Sequence, residues 1–65
     1  MNENGLLNTR DAARYLAVSV PTLTRWRSQG VGPRWARLGG SVRYRLADLQ
    51  EFVEAGMAAT KGGAA

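Results

Sequence analysis

The sequence contains no cysteine and no histidine, and its longest apolar runs are only a few residues. Without these residues the chain has no disulfide, no thiolate metal site, no usual zinc ligand and no usual acid–base group at neutral pH. No nucleophile, base or metal constellation replaces them, so we expect no enzyme, no cofactor and no small-molecule ligand. The short apolar runs predict neither a signal peptide nor a membrane span, and we expect a cytoplasmic protein.

Acidic residues are also missing from a long central stretch. Residues 12–47 contain no Asp or Glu but carry seven arginines. The seven are Arg14, Arg25, Arg27, Arg34, Arg37, Arg43 and Arg45. The positive charges of this stretch repel one another unless they bind an anion. The planar, forked guanidinium of arginine suits phosphates and the edge of guanine. A nucleic acid is therefore the expected partner, and the alternatives are a solvated basic surface or a domain that docks an acidic protein.

The size of the chain predicts one small domain with a thin core. It has 65 residues and a formal net charge of +4. A chain of this size buries only roughly 60% of its unfolded surface, so each large apolar residue matters individually.

The first half of the sequence predicts two short helices joined by a turn. Asn8 is placed to cap the first helix, which ends near Leu16, and residues 17–18 form the turn. Ser19 is the next N-cap, and the second helix runs to about residue 29 before Gly30 stops it. This is the layout of a helix-turn-helix.

The second helix divides into a packing face and an exposed polar face. Leu23 and Trp26 share the inner face, where Trp26 is expected to be a core residue. Predicted DNA contacts on the outer face and its flanks are Pro21, Thr22, Thr24, Arg25 and Ser28. Ser19 and Arg27 are predicted to contact the DNA backbone, with the Arg27 guanidinium reaching a phosphate or Asp11. An exposed arginine without a DNA contact is the alternative for Arg25.

A glycine turn at residues 39–40 predicts a hairpin after the second helix. In its second strand Val42 and Tyr44 share a packing face, and Arg43 and Arg45 share the opposite, cationic face. The hairpin resembles a wing, and its predicted DNA contacts are Arg37, Gly40, Ser41, Arg43 and Arg45. Trp35 is expected to pack against the hydrophobic side of the sheet, and the alternative is a partly exposed position beside the DNA.

Residues 46–54 predict a third helix that closes the core. Leu49, Phe52 and Val53 follow helical spacing, whereas the acidic residues of this segment are expected to face away from nucleic acid. The predicted fold is mainly α with a small β-hairpin: a winged helix-turn-helix over residues 6–55, with flexible tails at 1–5 and 56–65.

Several motifs together resemble a known family. They are Leu6–Ser19, Thr22–Arg27, Gly32–Pro33, Arg37–Gly40, Val42–Arg45 and Asp48–Leu49. In order and spacing they are similar to the small winged helix-turn-helix proteins of the excisionase and AlpA-like group, within the MerR-like superfamily.

The resemblance implies that the second helix lies in the major groove and the wing contacts the minor groove or the backbone. Family contacts fall on Pro21, Thr22, Arg25 and Ser28 in the helix, and on Gly40, Ser41 and Arg43 in the wing. The resemblance also implies that Asp48 caps or orients the last helix. Ala17 stands where similar sequences have Gly, which costs about 1 kcal/mol if the turn needs positive φ.

Two functions within this family stay open at the level of sequence. An excisionase binds beside an attachment site, bends the DNA and directs a cognate integrase toward excision, with neighbouring copies side by side on the DNA. An AlpA-like transcriptional regulator uses the same surface at a promoter. We expect the excisionase because a small winged domain without a coiled coil or effector domain suits side-by-side assembly, although a regulator has the same anatomy.

Overall fold

The computed structural model describes residues 5–60 of the chain, with side chains described as far as residue 57. The helices are α1 (Thr9–Leu16), α2 (Val20–Gln29) and α3 (Leu46–Thr60). The strands are β1 (Leu6–Leu7), β2 (Ala36–Leu38) and β3 (Ser41–Arg45). Helix-turn-helix, hairpin and third helix follow one another as predicted, so the winged helix-turn-helix fold is confirmed.

The sheet has one strand more than the two-stranded wing that the sequence predicted. Its order is β1-β3-β2, with β3 in the centre and both pairings antiparallel. Leu6 lies opposite Arg45 and Leu7 opposite Tyr44. The backbone N–H of Leu46 also donates to the carbonyl of Gly5 at 2.7 Å. A two-residue strand shows no alternation in sequence, which is why its pairing was missed.

The predicted N-caps of α1 and α2 are confirmed. The side-chain oxygen of Asn8 accepts from the Asp11 N–H at 2.7 Å, and Ser19 Oγ accepts from the Thr22 N–H at 3.2 Å. Each bond satisfies a donor that the first helical turn leaves without a partner. These caps begin the two helices on either side of a turn that the sequence located correctly.

Both helices end in the same hydrogen-bonded arrangement. The N–H of Val18 donates to the carbonyl of Ala13 at 3.0 Å, and that of Val31 donates to Trp26 at 2.9 Å. These six-to-one bonds are typical of the Schellman motif, which requires a left-handed residue just after the helix. Gly30 fills that position after α2 with φ 76°, and Ala17 fills it after α1 with φ 61°. The turn therefore does need positive φ at Ala17.

Helix α3 is longer than predicted. The sequence ended this helix near residue 54 and began a tail at Gly56, whereas α3 continues to Thr60. A helix-interior glycine costs about 1 kcal/mol relative to alanine, and a helix already formed can extend through it into the strong helix formers Ala58 and Ala59. The remaining parts of the predicted tails, residues 1–4 and 61–65, lie outside the described residues.

The core lies where α1, α2, α3 and β3 meet. Its buried residues are Leu7, Ala12, Ala13, Leu23, Tyr44 and Leu49. Trp26 is partly buried against this core, with its ring centroid 5.8 Å from that of Phe52. The predicted inner face of α2 is therefore confirmed. In residues 5–60 no helix combines the length and the apolar character that a bilayer crossing needs.

Candidate nucleic-acid interface

The exposed face of α2 carries the predicted recognition residues. Leu23 is only 1% exposed on the inner side, whereas Pro21, Thr24, Arg25 and Ser28 are exposed. The guanidinium of Arg25 makes no hydrogen bond or ion pair with any residue from 5 to 57. Its donors are therefore available to the acceptor atoms of a base pair or a phosphate.

Ser19 and Thr22 form a local pair at the start of α2. Ser19 Oγ donates to Thr22 Oγ1 at 2.8 Å and accepts from the Thr22 N–H. Because the Thr22 hydroxyl accepts in this pair, its own proton stays free to be donated to a phosphate or a base. The hydroxyl of Ser19 is used for capping, and its contact with the DNA backbone stays a prediction.

Arg27 is engaged inside the protein and does not pair with Asp11 among the described residues. Its Nη1 donates to Tyr44 Oη at 3.0 Å and lies 3.4 Å from Thr9 Oγ1. Tyr44 is 1% exposed, so Arg27 supplies the partner that its buried hydroxyl needs. Arg27 thus joins α2 to α1 and to β3 through Nη1, and its contact with a phosphate stays a prediction.

The tip of the wing is a two-residue turn. Gly39 and Gly40 have φ of 58° and 86°, and Leu38 pairs with Ser41 across them. Positive φ at both central positions is the signature of a type I′ turn, which matches the twist of the strands. The predicted contacts Gly40 and Ser41 lie exposed at this tip.

The arginines of the wing divide between the two faces of the sheet. Arg37 pairs with Val42, and Ala36 pairs with Arg43. Directly opposite residues in an antiparallel pair share a face, so Arg37 lies on the side of Val42, whereas Arg43 lies on the other side. The predicted alternation within β3 is confirmed, but the hairpin does not present all its arginines on one surface.

Arg37 and Arg43 differ in what they contact. The guanidinium carbon of Arg37 lies 5.7 Å from the centroid of the Trp35 ring. Arg43 Nη1 donates to the carbonyl of Val42 at 2.7 Å. Trp35 itself is 39% exposed, so the expected packing against the sheet is wrong and the ring is partly exposed.

Arg45 and Asp48 form an ion pair that sequence reasoning missed. Arg45 Nε lies 2.9 Å from Asp48 Oδ2, and Arg45 Nη2 lies 3.1 Å from Asp48 Oδ1. The Asp48 side chain is 9% exposed and that of Arg45 62%. The hydrogen bond from Arg45 holds the pKa of the Asp48 carboxyl below its ordinary value, although burial opposes this effect. The same hydrogen bond raises the pKa of Arg45.

This pair bears on the expected roles of both residues, which stay predictions. Two donors of Arg45, predicted to contact DNA from the wing, are held by a carboxylate. Asp48, at the third position of α3, orients the arginine that precedes the helix. The available signal was that Asp48 is the first carboxylate after the acid-free stretch and lies three residues from Arg45.

The charge of the other arginines is not compensated in this way. In the part of the chain from 5 to 57, Arg45–Asp48 is the one ion pair. The exposed arginines outside it, among them Arg25 and Arg37, keep their positive charge at the surface. An exposed polar helix beside a cationic hairpin can bind the phosphates of a duplex and present donors to base edges.

The comparisons with known proteins agree with the geometry. The helix-turn-helix domain family matches residues 6–57, which cover every described element except the last three residues of α3. A comparison with curated proteins gave no significant match. The family match and the fold support binding to double-stranded DNA. With most of its length matched, the chain belongs to the helix-turn-helix domain family.

Proposed function

We propose that this protein is an excisionase. In this role it binds double-stranded DNA beside an attachment site, bends the DNA and directs a cognate integrase toward excision, and it carries out no chemistry itself. The observation that supports DNA binding is the exposed Arg25 on the polar face of α2, whose guanidinium has no polar partner among residues 5–57, followed in the chain by a hairpin with exposed arginines. The excision role rests on the motifs that the chain shares with small excisionases.

In this proposal α2 lies in the major groove. Arg25 donates its fork to the O6 and N7 acceptors of a guanine, which is the commonest specific arginine contact. Thr22, Thr24 and Ser28 are short enough to let the helix approach the groove floor, and their hydroxyls bind phosphates or bases. Base readout therefore depends on Arg25 more than on any other residue of α2.

The wing contacts the adjacent minor groove or backbone through its tip. Gly40 carries no side chain that would hold the backbone away from the DNA; Ser41 follows it directly, and Arg43 lies two residues beyond Ser41. Copies bound at neighbouring sites then bend the duplex and contact the integrase. The alternative is an AlpA-like regulator, which places the same surface on a promoter.

An in vitro excision reaction tests the proposal. Purified protein is added to its cognate integrase and a DNA substrate that carries both attachment sites, and we expect excision to be stimulated. Arg25→Ala should abolish this stimulation while the variant stays folded. Glu54→Gln, an exposed change on α3, is the matched control and should behave as the wild type. A protein that protects the attachment region in footprinting but does not stimulate excision would refute the excisionase and leave the regulator.

The salt dependence of binding separates DNA from an acidic protein partner. If about four phosphates are neutralised, log K should fall with log salt concentration with a slope of roughly −3 to −4. The measurement uses a duplex of random sequence, because phosphate contacts do not depend on sequence. A response that is flat in salt would refute phosphate binding and favour the acidic protein.

A further inference from the structure

Trp35 immediately precedes β2 and lies beside two arginines. The guanidinium carbon of Arg27 is 5.6 Å from the centroid of its ring, and that of Arg37 is 5.7 Å away. Both distances lie within the range of about 6 Å over which a cation is attracted to the face of an indole. The ring is also partly exposed, so this cluster of Arg27, Trp35 and Arg37 reaches the surface of the wing.

The two arginines of the cluster use their donors differently. Arg27 Nη1 donates to the hydroxyl of Tyr44, which ties one side of the cluster to the core. The guanidinium of Arg37 makes no hydrogen bond or ion pair with any residue from 5 to 57. A guanidinium that lies over an aromatic ring contacts the ring through its own flat face, whereas its N–H groups point outward in the guanidinium plane. Arg37 is therefore oriented while its donors stay free.

An indole can orient an arginine without neutralising it. Arg45 shows the contrast within the same sheet, because both its Nε and its Nη2 are bound by Asp48. A phosphate that approached Arg45 would compete with a carboxylate, whereas one that approached Arg37 would meet full positive charge and unused donors. Residues 12–47 contain no carboxylate of their own to hold their arginines, and here Trp35 contacts Arg37 and the hydroxyl of Tyr44 accepts from Arg27.

We propose that Trp35 is a positioning residue that presents Arg37 to a phosphate of the DNA backbone. Arg27 holds the indole from the side of α2, and its bond to Tyr44 fixes the cluster to the core. This inference rests on the DNA binding proposed above. It adds Trp35, which was not among the predicted DNA contacts. It also distinguishes Arg37, whose donors no residue from 5 to 57 binds, from Arg45, whose Nε and Nη2 are bound by Asp48.

The free protein gives the first test. Protons held over an aromatic ring are shifted upfield, so the side-chain N–H resonances of Arg37 should be shifted in the NMR spectrum of the wild type. Trp35→Leu should remove this shift, whereas Trp35→Phe should keep part of it. If the Arg37 N–H chemical shifts are the same in Trp35→Leu as in the wild type, the positioning role is overturned, whether or not the protein binds DNA.

DNA binding gives the second test, with a random-sequence duplex at low salt. Trp35→Leu should weaken binding about two- to fivefold, the effect of losing one exposed cation–π contact. In a background of Arg37→Ala the same change should cause no further loss. In a background of Arg43→Ala, which is the matched control, the loss should persist. A further loss in the Arg37→Ala background would overturn the proposal, because Trp35 would then act independently of Arg37.

The failures of the two proposals are distinguishable. If the wild type does not bind the duplex, the DNA-binding proposal fails, and the role of Trp35 in presenting Arg37 to phosphate fails with it. If the wild type binds and the two losses are additive, only the positioning role fails. The melting temperature of each variant is measured alongside, and Trp35→Phe supplies a folded comparison should Trp35→Leu unfold.

Discussion

Replacing Ala17 by glycine should stabilise the protein. Ala17 follows α1 with φ 61° and ψ 38°, in the left-handed region, and its side chain is exposed, so the change removes no packing. An L-residue with a Cβ pays roughly 1–2 kcal/mol for this conformation. Glycine removes that strain but loses about 0.4–1 kcal/mol through the greater freedom of the unfolded chain. The expected net gain is about 0.5–1 kcal/mol.

Thermal unfolding followed by circular dichroism measures this gain. For a domain of this size, 1 kcal/mol corresponds to a change of roughly 4–8 °C in Tm, so Ala17→Gly should raise Tm by several degrees. The hydrogen bond from Val18 to Ala13, 3.0 Å long, is a backbone contact and should persist in the variant. Denaturant unfolding should give the same sign with an unchanged m-value.

The chain offers two matched controls for this prediction. Ala55→Gly makes the same chemical change at an exposed site within α3 and should cost about 1 kcal/mol, because its backbone is right-handed helix. Gly30→Ala introduces the strain that Ala17 carries, at the corresponding position after α2, and should lower Tm. A destabilised Ala17→Gly variant, with Gly30→Ala neutral, would refute the conformational argument.

Further predictions concern the site and the core. Arg25→Ala should keep the fold and lose about 1–3 kcal/mol of discrimination at one base step, as measured by binding to a set of single-base variants of the site; equal loss on every sequence would make Arg25 a phosphate contact. Arg43→Ala should weaken binding nearly uniformly and reduce the salt slope by about one, and a loss that depended on A·T content would instead indicate readout of minor-groove width. Trp26→Ala should cost about 3 kcal/mol, near the lower end for core aromatics because Trp26 is only partly buried, and calorimetry checks this. The Arg45–Asp48 pair should make stability depend on pH: the folded-state pKa of Asp48 lies below that of the unfolded chain, so its contribution is present above about pH 4 and is lost as the pH falls through the folded-state value. The difference in unfolding free energy between the wild type and Asp48→Asn should therefore shrink in acid, and a difference independent of pH would exclude this linkage.

The local features of the fold could be predicted because short sequence signals determine them. Asn8 and Ser19 cap helices through their own side chains, and Gly30 ends α2 because it accepts positive φ without strain. The Gly39–Gly40 turn fixes the register of the hairpin in the same way. Each of these signals acts over three or four residues, so no knowledge of the distant chain is needed to interpret it.

Features that depend on distant contacts were not predicted. Strand β1 forms because Leu6 and Leu7 pair with the edge of β3 that β2 does not occupy, about forty residues away in sequence. The bond from Arg27 to Tyr44 likewise joins residues 17 positions apart, and helical periodicity could place Arg27 only at the rim of α2. The hydrophobic periodicity of a helix or strand predicts which face a side chain occupies. It does not identify the residue that this side chain contacts.

The arginines show why this distinction matters for function. In the sequence the arginines of residues 12–47 are equivalent cations, and the absence of acid makes them all candidates for phosphate binding. In the structure Arg45 is bound by a carboxylate and Arg27 by a buried hydroxyl, whereas the guanidinium groups of Arg25 and Arg37 form no hydrogen bond or ion pair with residues 5–57. Arg27 nevertheless keeps its full charge, because a phenol hydroxyl accepts a hydrogen bond without neutralising the guanidinium. It therefore still contributes to the positive field that attracts DNA, whereas the charge of Arg45 is compensated by Asp48 although its side chain is 62% exposed.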